Sequence, residues 1–178
     1  LGVDGKNLPK EVTGIPMNFA GVGTDDHTVI AYQEYLNRYV DAIKPELISY
    51  DHYHFLPDKD GEQYFLNLGL IREAALQANV PFKNIIQVAS WPGIWRDVNA
   101  NEVRWLVYTT LAYGGRGISY FTYWHKGGLY SDGQRQPLAD VVGVLNQEIE
   151  SLSPVLMGLD SLGASHTDPL PYGATAIP

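Results

Sequence analysis

KNIIQVASW (83–91), PGIWRDV (92–98), NANEVRWLVYTTLAYGG (99–115) and RGISYFTYW (116–124) follow one another without interruption. The first and last are short β-branched and aromatic runs, and the third has helical period. Asn99 is placed to cap that helix, and Glu102, three residues on, completes a capping box. Val103, Leu106, Val107, Thr110 and Leu111 fall on one stripe, and Gly114 and Gly115 suit its C-terminal end. A strand, an amphipathic helix and a second strand in this order predict a parallel pair joined by a right-handed crossover.

The same unit recurs on both sides. Upstream, the spacing predicts a strand at 14–20 (GIPMNFA), a helix at 28–44 ended by Pro45, a strand at 46–55 (ELISYDHYHF) and a helix at 62–79. Downstream, a Gly-rich loop precedes a helix at 137–153, with Pro137 in its first turn. Four strand–helix units predict an α/β fold with a parallel sheet and helices outside it. No dinucleotide fingerprint or phosphate loop is present. A complete barrel takes about 250 residues, so in a barrel these units are half. The half-barrel is expected over 1–157, and 158–178 as a linker or the start of a β-rich domain.

Composition narrows the function. The chain has 178 residues, 45% of them hydrophobic and 18% charged, which suits a globular core. A net charge of −8 argues against nucleic acid as a partner. No apolar run approaches the roughly 18 residues of a membrane span. With no cysteine there are no disulfides or thiolate metal sites, and no cofactor is implied. The opening LGVDGKNLPKEVTG lacks the basic and apolar regions of a signal peptide.

In a parallel barrel, chemistry sits at the C-terminal ends of the strands. Alternation along 83–91 sends Ile86 and Val88 toward the helices, and Ile85, Gln87, Ala89 and Trp91 inward. Asn18 is expected inward on the first strand. On the second, Asp51 shares a face with Ser49 and Tyr53, opposite His52 and His54. On the fourth, Tyr120, Thr122 and Trp124 share a face, with His125 just beyond. The expected lining is therefore Asn18, Asp51, Tyr53, His54, Gln87, Trp91, Tyr120, Trp124 and His125. Asp51 is its one strand-end carboxylate. Glu62, Asp58, Asp60, Asp97 and Asp132 fall in loops or helix starts.

Twelve Tyr and four Trp, many at strand ends, add aromatic surface. Aromatic faces meet the C–H faces of sugars, and planar amides and carboxylates meet their hydroxyls. This pattern points to a carbohydrate ligand. A competing reading takes His52 and His54, two apart on one strand, as ligands of a metal-dependent barrel hydrolase.

LISYDHYHF, NEVRWLVYTTLAYGGRG and GISYFTYW together resemble the last strands of clan A glycoside hydrolases. The likeness is greatest to β-galactosidase-like, family 42-like barrels of polysaccharide-degrading bacteria, over residues 14–157. It implies a (β/α)8 barrel whose fifth to eighth strands lie here, with Trp124 closing the eighth. It also implies a secreted or periplasmic enzyme that hydrolyses a polysaccharide or oligosaccharide. The clan's nucleophile is a Glu at the end of the seventh strand, where this chain has Gln87, and its acid/base Glu follows the fourth strand. The catalytic pair is therefore not complete here. Asp51 is expected as a catalytic carboxylate or a hydroxyl anchor, and a non-catalytic carbohydrate-binding barrel is the alternative. Open sheet edges imply a partner, either an N-terminal half-barrel or a second half-barrel.

Overall fold

The computed structural model describes residues 26–125, 127–167 and 169–171, the first five as backbone alone. The strand expected at 14–20, and Asn18 with it, lies outside the described residues. The elements run α1 (Asp26–Ile43), β1 (Ile48–Asp51), α2 (Tyr64–Ala78), β2 (Phe82–Gln87), α3 (Ala100–Ala112) and β3 (Gly117–Phe121). A short hairpin of β4 (Tyr130–Ser131) and β5 (Gln134–Arg135) then leads into α4 (Pro137–Leu156).

The expected caps form. Asn99 accepts hydrogen bonds from the N–H groups of Asn101 and Glu102 at 2.9 and 3.1 Å, and Glu102 accepts one from the Asn99 N–H at 2.8 Å. The stripe of Val103, Leu106, Val107 and Thr110 is buried. Gly114, at φ +85°, takes the left-handed turn that leaves α3. Helix α4 starts at Pro137 and runs three residues past the expected stop at Ser153, through Pro154. The Ser153 hydroxyl donates to the Glu150 carbonyl at 3.1 Å, a group that the N–H missing from Pro154 leaves free.

Three strands pair in parallel in the order β1-β2-β3, which is chain order. The chain is therefore a mixed α/β structure with a three-stranded parallel sheet and four helices. The described strands form an open sheet, and closure into a barrel is not seen in it. All three are shorter than the sequence predicts. After Asp51, Gln87 and Phe121 the chain turns into loops, two of which close on themselves through single bridges, Phe55 with Asp60 and Trp91 with Trp95.

One face of the sheet carries the core. Ile48, Tyr50, Phe82 and Ile86 are buried with Leu68, Ile71, Val103, Leu106 and Leu145 of the helices. Asn84 sits among them because its amide donates to the Thr110 hydroxyl at 2.9 Å. On the other face Ser49 and Asp51 are exposed, and Lys83, Ile85, Ser119 and Phe121 are half-buried.

The third strand differs from expectation in its parity. Paired residues of parallel strands share a face, and Tyr120 pairs with Ile86 while Phe121 pairs with Gln87. Tyr120 therefore lies on the helix side, where its hydroxyl donates to Asn146 of α4 at 2.8 Å. Ile118 and Tyr120 together bring more apolar surface to the helices than Ser119 and Phe121 would.

Beyond α4 the chain folds back. The Arg72 guanidinium donates to the Ser161 carbonyl at 2.7 Å, and Tyr113 bonds His166 at 2.9 Å. Arg116 donates to the carbonyls of Leu156 and Leu159 and satisfies the end of α4. Among the described residues no helix is long and apolar enough to cross a membrane.

Candidate functional site

The C-terminal ends of the three strands face one way, and their loops converge there. Asp51 ends β1, exposed on the uncovered face, the one that none of the described helices covers. The Asp51 carboxylate acts on the Tyr53 hydroxyl, two residues on. Burial first, and then the Asp51 carboxylate, push that hydroxyl well above the ordinary tyrosine range, so it remains a protonated donor.

The Tyr53 ring stacks on Phe121 at 5.4 Å and meets Trp95 edge-on at 4.5 Å, and Phe121 meets Trp95 at 6.0 Å. Two loops and the end of β3 thus supply one aromatic group. Phe121 and Trp95 were not expected in it. Phe121 was assigned the wrong parity, and Trp95 is brought in by a turn. Pro92 and Gly93 occupy the centre of that turn, with Gly93 at φ +76° and an Ile94 N–H to Trp91 carbonyl bond of 2.9 Å. The W-P-G-x-W spelling was the available signal.

Trp91 lies on the outer side of this turn. It stacks on His125 at 4.6 Å and 18°, and meets Trp95 at 6.2 Å. Gly127 holds the 122–130 loop close to Ser90, where a Cβ would stand 2.5 Å from the serine Oγ. Trp124 is 72% exposed at the rim, and Tyr123 beside it stacks on Tyr130 at 4.8 Å.

Gln87 is at the expected strand end but is committed elsewhere. Its Oε1 accepts from the Phe55 N–H at 3.0 Å, and its Nε2 donates to the carbonyls of Phe55 at 3.1 Å and Arg96 at 3.3 Å. It is 1% exposed. The amide therefore ties the β1 loop to the β2 loop instead of facing the open rim. Arg96 reinforces the tie by pairing with Glu102 at 2.8 Å and Asp60 at 3.0 Å while lying over Phe55 at 4.7 Å.

His52 and His54 take the helix side, opposite Asp51. His52 Nδ1 is bonded to the Asn67 amide at 2.9 Å, and His54 stacks on Trp105 at 5.2 Å. Burial foremost, with His54 nearby, lowers the His52 pKa to about 4, and burial also lowers that of His54. Among the described residues no three His, Cys, Asp or Glu side chains gather as a metal site.

An apolar cavity of about 410 Å³ lies at the other end of the strands, lined by Leu111, Ile118, Ile149 and Leu156 with Arg116 at its wall. It adjoins the start of β3, whereas Asp51 stands at the end of β1.

The site thus joins Asp51, Tyr53, Trp91 and His125, with Trp124 at the rim, and adds Trp95 and Phe121. Tyr120 and His54 belong to the core side, and Gln87 belongs to the loop scaffold. In comparisons with known proteins, no family model matches the chain, and neither the curated proteins nor the solved structures give a match.

Proposed function

We propose that the chain supplies half of a (β/α)8 barrel whose strand ends bind carbohydrate, and that the whole protein is a glycoside hydrolase. One observation carries the reading: Asp51 ends β1 two residues before Tyr53, whose ring forms a floor with Trp95 and Phe121. A carboxylate next to aromatic rings offers an acceptor for sugar hydroxyls and an apolar surface for ring C–H groups. Barrel closure is supported by the sheet itself. Parallel sheets are ordinarily covered on both faces, and strands paired in chain order with helices packed on one face are the repeating unit of a barrel.

Hydrolysis would place Asp51 as one of two carboxylates flanking the glycosidic bond, with the second on the complementary half. Substituting Asp51→Asn in the full-length protein should lower turnover of the cognate glycan about 100-fold or more, measured as reducing-sugar release. Turnover equal to the parent's would remove Asp51 from the chemistry.

A second reading has its own support. Gln87 stands where the resemblance implies a nucleophile, and its amide is consumed by Phe55 and Arg96. That favours a barrel that binds glycans without cleaving them. Glycan binding by the full-length protein with no reducing sugar released would select this reading.

A further inference from the structure

Among the described strands, the uncovered face carries one cation, Lys83. It alternates with the buried Phe82 and Asn84 of β2, so its side chain rises on the side opposite the helices. It is half-buried there. The residues level with it are Ser49 on β1 and Gly117 on β3. A Cβ at Gly117 would stand 3.0 Å from the Lys83 Cβ and 4.0 Å from its Cδ. The lysine stem therefore lies over bare backbone on the β3 side, and a side chain at 117 would crowd it.

Among the described residues no carboxylate pairs with Lys83. Asp51 is level with Ile85, two residues and about 6.5 Å higher along the sheet, and it lies on the β1 side, away from Gly117. Neither β2 nor β3 contains Asp or Glu, and GIPMNFA (14–20) has none either. Two residues beyond Gly117, on the same face, the Ser119 hydroxyl is enclosed without a hydrogen-bond partner among the described residues. The face thus presents two polar groups that its own strands do not match.

Closing a barrel over this face removes water from both. Covering an ammonium with apolar surface is costly, and a carboxylate beside it offsets the cost. A second copy of this chain would bring the wrong charge. Two-fold symmetry along the barrel axis sets equivalent residues at equal height, so a second Lys83 would face the first.

We infer that the uncovered face closes against a half-barrel of different sequence, which sets an Asp or Glu carboxylate against Lys83 and a hydrogen-bonding group against Ser119. The inference rests on barrel closure and selects between the two partners that closure allows.

The test uses the full-length protein. Acetylation of the folded parent, read by mass spectrometry, should modify Lys83 at least about tenfold more slowly than the exposed Lys44, because only a free amine reacts. Lys83→Met strands the partner carboxylate and should lower the melting temperature at pH 8 by about 5 °C or more. At pH 5 the stranded carboxylate takes up a proton, so the loss should shrink. A variant that folds at pH 5 and not at pH 8 counts the same way. If Lys83 reacts as fast as Lys44, barrel closure falls together with the ion pair. If Lys83 is protected but Lys83→Met costs nothing, or costs the same at both pH values, closure stands and the ion pair falls. A rise in melting temperature in a protein of twice the chain mass would select the second copy instead. Turnover of Asp51→Asn tests the carbohydrate reading separately.

Discussion

The two faces of the sheet have the same three strands and opposite environments. Toward the helices, Ile48, Tyr50, Phe82 and Ile86 are buried and the polar exceptions, Asn84 and His52, each have a partner. Away from them, Ser49 and Asp51 lie in water and Lys83, Ile85 and Ser119 are half-buried. The difference separates two tasks. The covered face carries the folding energy, because apolar area is removed from water there. The uncovered face carries polar and aromatic groups at its upper end, where their chemistry is still available.

The sharpest way to break this contrast is a pair of truncations. Leu68→Ala, at a position 0% exposed under the covered face, should cost about 2–5 kcal/mol in urea denaturation. Ser49→Ala on the other face should stay within about 0.5 kcal/mol. Similar costs would mean that the uncovered face is packed as tightly as the covered one.

Acid should attack the covered face next. His52 is neutral when folded, with its pKa lowered to about 4 from the ordinary 6.5. The unfolded chain therefore takes up a proton that the folded chain refuses between these values. The stability is fully present above pH 6.5 and is lost as pH falls toward 4, by at most about 3 kcal/mol. Denaturation midpoints measured across that window should show the fall, and His52→Gln should flatten it. A parent profile flat from pH 7 to 4 would mean that His52 is solvated.

The smallest effect belongs to the edge of the covered layer. Asn99→Ala removes one side of the α3 capping box and should cost about 1 kcal/mol by the same measurement. Asn99→Ser, which keeps an acceptor, should recover most of it.

Much of the covered face was legible in the sequence. The capping box, Gly114, Pro137 and the stripe of α3 are local signals, and they place both ends of α3 and the start of α4 closely. The parity of β2 was legible too, because Ile86 and Val88 alternate with Gln87. The parity of β3 was not. GISYF has an aromatic residue on each parity, Tyr120 on one and Phe121 on the other, so the register against β2 decides, and register is a tertiary property. The site was legible in part for the same reason. Asp51, Tyr53 and Trp91 follow from strand ends, whereas Phe121 needs the register and Trp95 needs a turn that doubles the chain back. His54 illustrates the opposite error. Alternation already opposed it to Asp51, and its assignment to the lining followed its residue type over its position.

Gln87 constrains what this sequence can become. Its amide offers an acceptor to one loop and donors to two carbonyls, all in a buried place. A carboxylate there would face the Phe55 and Arg96 carbonyls with no proton to give, and burial would drive it toward its neutral form. A neutral carboxyl is a poor nucleophile. A single codon change from Gln to Glu therefore cannot install a charged nucleophile at this strand end. Such a lineage would first have to rebuild the loops at Phe55 and Arg96, so the order in which mutations accumulate is fixed by one amide.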